Sequence, residues 1–370
     1  MRSSGPLVDA TGRDISFQMR CVESYFPSGV ADFAAIRRAR RFYVDNTAVV
    51  REIATLDHAM VLRPPRFGKS LLLSAMKHYY DLNSRDDFDV LFSGLQAAEG
   101  EDERRNKYHV LHLDLSLAVD ATDDITTMRA RLNCKVNQAI TRAARLYKLA
   151  VSIDNQDCTI SLLNFALAVE TVDNIDHRRL LVLIDEYDRY ANKLMFEHPA
   201  AYAKLVRGTS GQPLSSPVRS LFETLKSIEG LVDYRTFTTG ITPIALADAS
   251  GANNIKDLTF AATFADTFGL TEANIVQALN DIGQTDAEAQ RHVLALMRSY
   301  YNGYTFARAT RLVYNTTLCL FFLDKYAFPH FFFFLSFTHC SLCLAGIAAT
   351  RCSVKWCIAW CPSLLRPIRD

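Results

Sequence analysis

Leu180-Leu181-Val182-Leu183-Ile184 is an unbroken apolar run of strand length that stops at two carboxylates, Asp185 and Glu186. A strand with one wet face alternates apolar and polar residues. A run without alternation is buried on both faces, as in a parallel sheet covered by helices. Parallel strands need crossover connections, so the expected fold class is α/β, a three-layer sandwich on a mainly parallel sheet. Ligands of such open sheets sit outside the carboxyl ends of the strands, which puts Asp185 and Glu186 at the functional edge.

A second stretch, Met60 to Ser70, points to the same edge. It reads as an apolar strand, a tight loop from Arg63 to Phe67, a Gly68-Lys69-Ser70 step, and a helix whose apolar residues begin at Leu71. The first amides of a helix lack partners and the helix dipole is positive there, so a polyphosphate satisfies both. In that setting Lys69 reaches the β- and γ-phosphates and the Ser70 hydroxyl takes one position on Mg²⁺. Only the second half of the pattern G-x-x-x-x-G-K-[ST] is intact, because Arg63 stands at the first glycine. By itself Gly-Lys-Ser also fits an ordinary capped helix start, and Asp185-Glu186 fits a strand ending in solvated acids. Both together, in this order on matching strand ends, favour nucleotide binding. Asp185 then holds Mg²⁺, directly or through water, and Glu186 polarises the attacking water.

With 49% apolar residues in 370 positions the chain can bury a large core, and its length allows two or three domains. Its 41 basic and 40 acidic residues give no electrostatic argument for nucleic acid or an anionic membrane surface. No secretory signal is visible in residues 1–20, so an intracellular protein is expected. Five of the nine cysteines lie between Cys340 and Cys361, while Cys21, Cys134 and Cys158 read as ordinary reduced thiols.

In chain order, residues 1–24 show no periodicity and read as a loosely ordered leader. Asp32 caps a short helix through Ala39, and Arg37, Arg38, Arg40 and Arg41 read as a solvated face. A helix from Thr47 to Leu56 leads to a strand at Ala59. Leu71, Leu72, Met76 and Tyr79 or Tyr80 share one side of a helix ending near Asp81. Residues 97–107 read as an exposed charged loop, and Val110 to Leu115 as a strand. There, alternation favours a sheet edge for His112 and Asp114 over ligand roles. Ile125, Met128, Leu132, Val136, Ala139, Ala143 and Leu146 recur at helical spacing with basic residues on the other faces. A helix from Leu162 to Val169 precedes the acidic strand. Residues 207–217 read as a surface loop, Val218 to Ile228 as a helix, and Tyr234 to Ile241 as a strand. Thr239, near the end of that strand, is the candidate to sense the γ-phosphate or the attacking water; β-propensity accounts equally well for a threonine there. Residues 243–258 read as loop and short helix, and residues 271–299 as two helices starting near Glu272 and Asp286.

Phe42 to Thr47, Leu62 to Leu71 and Leu91 to Leu95 together resemble the AAA-ATPase-like domain family of P-loop proteins. The family's loop typically reads R-P-R-R-F-G-K-S, so the resemblance accounts for Arg63, while Pro65 and Asn46 depart from the usual Arg and Lys. Pro65 removes one guanidinium from the loop and leaves the Gly-Lys-Ser core untouched. The resemblance implies ATP and Mg²⁺, bound by Arg63, Pro65, Arg66, Phe67, Gly68, Lys69 and Ser70, with Thr239 nearby. Ser70 and Asp185 would hold the metal, and Lys69 would act with Glu186 in catalysis, Arg63 or Arg66 adding positive charge at the γ-phosphate. The strand around Leu113, between the lysine loop and the acidic strand in sequence, resembles the P-loop branch in which an added glutamate is the base. Ile184 to Asp188 also resembles the family, with Asp188 positioning the metal or a helix, or capping one. Tyr300 to Phe306 and Val313 to Asn315 resemble the segment after the ATPase core. The acidic and lysine residues of the nuclease-like domain that follows in many relatives are not found.

The expected organisation is a leader (1–24), a P-loop domain (25–260), a helical region and linker (261–323), and an apolar, cysteine-rich tail (324–370). No charged residue lies between Lys325 and Arg351. A non-native tail comes first in the order of explanations, a membrane anchor through residues 326–350 second, and a metal module third. The expected function is ATP binding with Mg²⁺-dependent hydrolysis; the alternative is a non-hydrolysing switch. The switch would act through a protein partner, with self-assembly a further option; a third reading, nucleic-acid processing from the family's C-terminal half, is disfavoured because the nuclease residues are not found.

Overall fold

Alternation along four strands sorts their side chains into two cores, one on each side of a single sheet. Val61, Val110, Leu181, Leu183 and Phe237 are buried on one side; Met60, Leu62, Leu111, Leu113, Val182 and Ile184 are buried on the other. Each such side chain stabilises the fold by about 1.5–3 kcal/mol relative to exposure, which is why the register of the sheet is well specified. The computed structural model describes residues 25–53, 55–116, 125–200, 202, 217–243, 254–301, 303–307 and 311–327.

The described elements are α1 (Phe33–Arg38), α2 (Ala48–Ile53), β1 (His58–Leu62), α3 (Lys69–Tyr80), α4 (Phe88–Phe92), β2 (His109–Asp114), α5 (Ile125–Tyr147) and α6 (Cys158–Glu170). They continue as β3 (Arg179–Asp185), α7 (Arg189–Glu197), α8 (Pro217–Ser227), β4 (Asp233–Gly240), β5 (Lys256–Asp257), α9 (Glu272–Asp281), α10 (Ala287–Tyr301) and α11 (Thr316–Ala327). The strands form an all-parallel sheet in the order β2-β3-β4-β1-β5. Helices α1 to α4 pack on the first core and α5 to α8 on the second, giving the α/β P-loop sandwich. By contact density the chain divides into Met1–Leu323 and Asp324–Asp370.

Several local expectations hold. Asp32 caps α1 by accepting from the Ala35 amide at 3.0 Å, and His112 and Asp114 lie on the edge strand β2. Others differ. Residues 97–107 are not simply exposed: Ala97 and Asn106 are buried, and Asp102 accepts from the Tyr79 hydroxyl at 3.1 Å. The arginine cluster is partly a staple, since Arg37 donates to the carbonyls of Leu91 and Ser93 and Arg38 pairs with Asp87 at 2.7 Å. Two exposed residues, Lys256 and Asp257, add the unexpected strand β5.

The expectations for residues 1–24, for the 207–216 part of the loop and for the tail beyond Ala327, with its cysteines, lie outside the described residues. Among the described residues no helix is long and apolar enough to cross a membrane.

Candidate functional site

The loop between β1 and α3 is built around backbone that ordinary residues avoid. Arg66 has φ +68° and Gly68 φ +91°, so the chain turns sharply before entering α3 at Lys69. Among the described residues the amides of Arg66, Phe67, Gly68, Lys69 and Ser70 donate to no acceptor. Consecutive free amides at a helix start form an anion-binding concavity. The Lys69 ammonium lies within the loop, donating to the carbonyls of Arg63 at 2.9 Å and Pro64 at 3.0 Å. Burial lowers its pKa, while the carboxylates of Asp185, Glu186 and Asp188 oppose that shift. The cation is therefore pre-placed and partly desolvated, where it acts most strongly on an entering anion.

Sheet order brings the acids to this loop. β4 lies between β1 and β3, so the lysine loop and the acidic strand flank its end. Ser70 Oγ donates to Asp185 Oδ2 at 2.5 Å, although 115 positions separate them in sequence. Asp185 Oδ1 accepts from Thr239 Oγ1 at 2.6 Å and from the Glu186 amide at 3.0 Å. Thr239, fully buried, thus orients Asp185, a role the sequence reading did not assign to it. A hydroxyl and a carboxylate presented side by side are hard oxygen donors of the kind Mg²⁺ takes, so these residues fit that ion.

Glu186 follows in a left-handed conformation, φ +52°. Its carboxylate lies 4.0 Å from the Arg189 guanidinium and stays about one-third exposed. Burial raises its pKa, Arg189 lowers it, and the Asp185 and Asp114 carboxylates raise it further. A carboxylate with raised basicity can accept a proton from water.

Asp188 takes a place the sequence left open between metal, helix and cap. It stands at the cap position of α7, but its side chain makes no capping bond. Its Oδ2 instead accepts from the Ile241 and Thr242 amides at 3.1 and 2.6 Å, the Thr242 hydroxyl at 2.8 Å and Asn192 Nδ2 at 2.8 Å. The turn after Thr239 is thereby fastened to the turn after Glu186. Gly240 is required beside it, because a Cβ there would fall 2.5 Å from the Tyr187 ring.

Two expected loop contacts point elsewhere. Arg63 is buried, with its guanidinium on the carbonyls of Leu62, Thr259 and Phe264 at 2.8, 2.7 and 2.9 Å and 4.0 Å from the centre of the Phe306 ring. Burial pushes its pKa down to about 10. It braces the loop from beneath, whereas the Arg66 side chain is exposed. The Phe67 ring is also buried, 4.8 Å from Tyr304 and 5.7 Å from Phe306, so only its backbone faces the loop; Pro65 is exposed.

Sequence reasoning missed the partners of the loop's outer carbonyls. Asn315 Nδ2 donates to Pro65 O at 3.2 Å, the Thr317 amide to Arg66 O at 3.3 Å, and the Gly269 amide to Phe67 O at 3.2 Å. The resemblance of residues 313–315 to a known segment was the one available signal.

The profile of a family described as predicted AAA-ATPase matches residues 27–250. No curated protein and no solved structure matches the chain.

Proposed function

The chain belongs to the AAA-ATPase-like family, and from that membership we propose that it binds ATP with Mg²⁺ and hydrolyses the terminal phosphoanhydride. The observation that carries this reading is the contact of Ser70 with Asp185, which joins the lysine loop to the acidic strand. The free amides of residues 66–70 and the Lys69 ammonium receive the β- and γ-phosphates. Ser70 and Asp185 hold Mg²⁺, which when bound neutralises charge on the phosphate oxygens. Thr239 and the Glu186 amide keep the Asp185 carboxylate aimed. Glu186 accepts the proton as water oxygen bonds to the γ-phosphorus and the bond from that phosphorus to the ADP oxygen breaks. Lys69 compensates the charge that develops on the transferred group.

A second reading is an ATP-dependent switch without appreciable turnover, acting through a protein partner or another copy of the chain. The Arg189 guanidinium near Glu186 favours it, because a base held by a cation is less available to water.

Steady-state hydrolysis and binding of fluorescent ATP separate the two. Lys69→Ala is expected to weaken ATP binding at least tenfold. Glu186→Gln is expected to keep ATP and lose turnover; slow turnover untouched by this substitution supports the switch. Wild-type protein that fails to retain ATP with Mg²⁺ refutes both.

A further inference from the structure

The loop has two sides with opposite hydrogen-bonding states. Its amides at residues 66–70 are free, whereas its carbonyls at Pro65, Arg66 and Phe67 are all taken by Asn315, Thr317 and Gly269. In a planar trans peptide the C=O and the following N–H point in opposite directions. Holding those three carbonyls outward therefore turns the amides of Arg66, Phe67 and Gly68 inward, toward the anion side.

Asn315 holds the first of these carbonyls and also starts the helix that holds the second. Asn315 is buried, donates through Nδ2 to Pro65 O, and accepts the Leu318 amide on Oδ1 at 3.2 Å, which caps α11. Thr317, in the first turn of that helix, adds its amide and its hydroxyl, at 3.4 Å, to Arg66 O. Tyr304 and Phe306 close on Phe67 beside it, and the bridge between Tyr304 and Val313 aligns the two stretches. All of these contacts come from beyond residue 250, where the family match ends.

We infer that Asn315 is a positioning residue for the phosphate loop, and that residues 303–307 and 311–317 form a strap which sets the amide cradle for nucleotide. This rests on the nucleotide-binding reading above and adds to it the element that holds the cradle open. Asn315 touches no substrate in this scheme; it acts through the peptide planes of the loop.

Asn315→Asp separates the two bonds, since a carboxylate still accepts from Leu318 but cannot donate to Pro65. The expected result is an ATP Kd and KM raised about tenfold, with kcat at saturating ATP within about twofold, in a variant that melts lower than wild type but still cooperatively. Trypsin cleavage after Arg66 in the nucleotide-free protein should accelerate severalfold. Asn315→Ser, which keeps a capping oxygen but is too short to reach Pro65, should behave alike and decides the matter if the aspartate variant does not fold. Wild-type Kd and wild-type cleavage in a folded variant overturn the strap. If the wild type itself retains no ATP, the nucleotide reading fails, and the cleavage rate after Arg66 still tests the strap.

Discussion

Thr239 Oγ1 lies 2.6 Å from Asp185 Oδ1, and neither residue belongs to the strand that carries the lysine loop. The bond spans from β4 to β3, and Ser70 completes the bridge to α3 from the other oxygen. Three elements distant in sequence thus converge on one carboxylate, and its orientation is set by the folded sheet.

Glu186 sets a pH dependence. Its pKa is raised by burial, and a base works only when deprotonated, so kcat/KM should rise with pH along a limb displaced above the ordinary glutamate range. Glu186→Gln should flatten that limb and lower kcat by about 10²–10⁴-fold, with ATP affinity little changed. Stability moves the opposite way. An acid whose folded pKa is raised contributes stability below its unfolded pKa and loses it as pH rises through the folded pKa. The glutamine variant should therefore melt higher than wild type at neutral pH, and the gap should close on acidification. A gap that widens in acid contradicts the raised pKa.

Left-handed backbone at Glu186 costs about 1–2 kcal/mol in a residue with a side chain, while glycine pays about 0.5–1 kcal/mol in chain entropy. Glu186→Gly should unfold in urea with stability equal to wild type or up to about 1.5 kcal/mol higher, and with no turnover. A clear loss of stability would show that the conformation is not strained.

Arg63 should not tolerate lysine. One ammonium cannot span the carbonyls of Leu62, Thr259 and Phe264 or stack on Phe306, so Arg63→Lys should cost about 2–4 kcal/mol by chemical denaturation. Weakened ATP binding should accompany it. A variant with wild-type stability and reduced affinity would instead mean that Arg63 meets the phosphate.

Asp188→Ala leaves the Ile241 and Thr242 amides without their acceptor beside a buried turn. A loss of about 2–4 kcal/mol in urea unfolding is expected, and a smaller one for Asp188→Asn. Should the alanine variant lose turnover at full stability, Asp188 would belong to the chemistry and not to the clamp.

The central strands could be read from sequence because burial on both faces leaves long apolar runs, as in Leu180 to Ile184. Asp185-Glu186 was legible for the same reason, sitting where such a run stops, and Gly68-Lys69-Ser70 was legible as half of a phosphate-loop pattern after the loop that follows β1. Lys256-Asp257 was not, since two exposed residues carry no periodicity. Arg63 was misplaced because an arginine in a phosphate loop suggests a phosphate contact, and only the fold reveals carbonyls beneath it. Asp102 was missed because a charged stretch conceals a single buried acceptor for Tyr79. The Asn315 contact with Pro65 spans 250 positions, beyond the reach of any local pattern.

The interposed strand β4 places unequal demands on the chain. Within the link from β3 to β4, the stretch between α7 and α8 can change length at little cost in closure free energy, whereas Glu186 to Asp188 and the two helices are tied to the site and to the second core. A slip of β4 by one position is another matter: Phe237 would leave its core, and a hydroxyl would turn away from Asp185 to the opposite layer. Variation among related chains should accordingly accumulate between α7 and α8 and spare the spacing from Phe237 to Thr239.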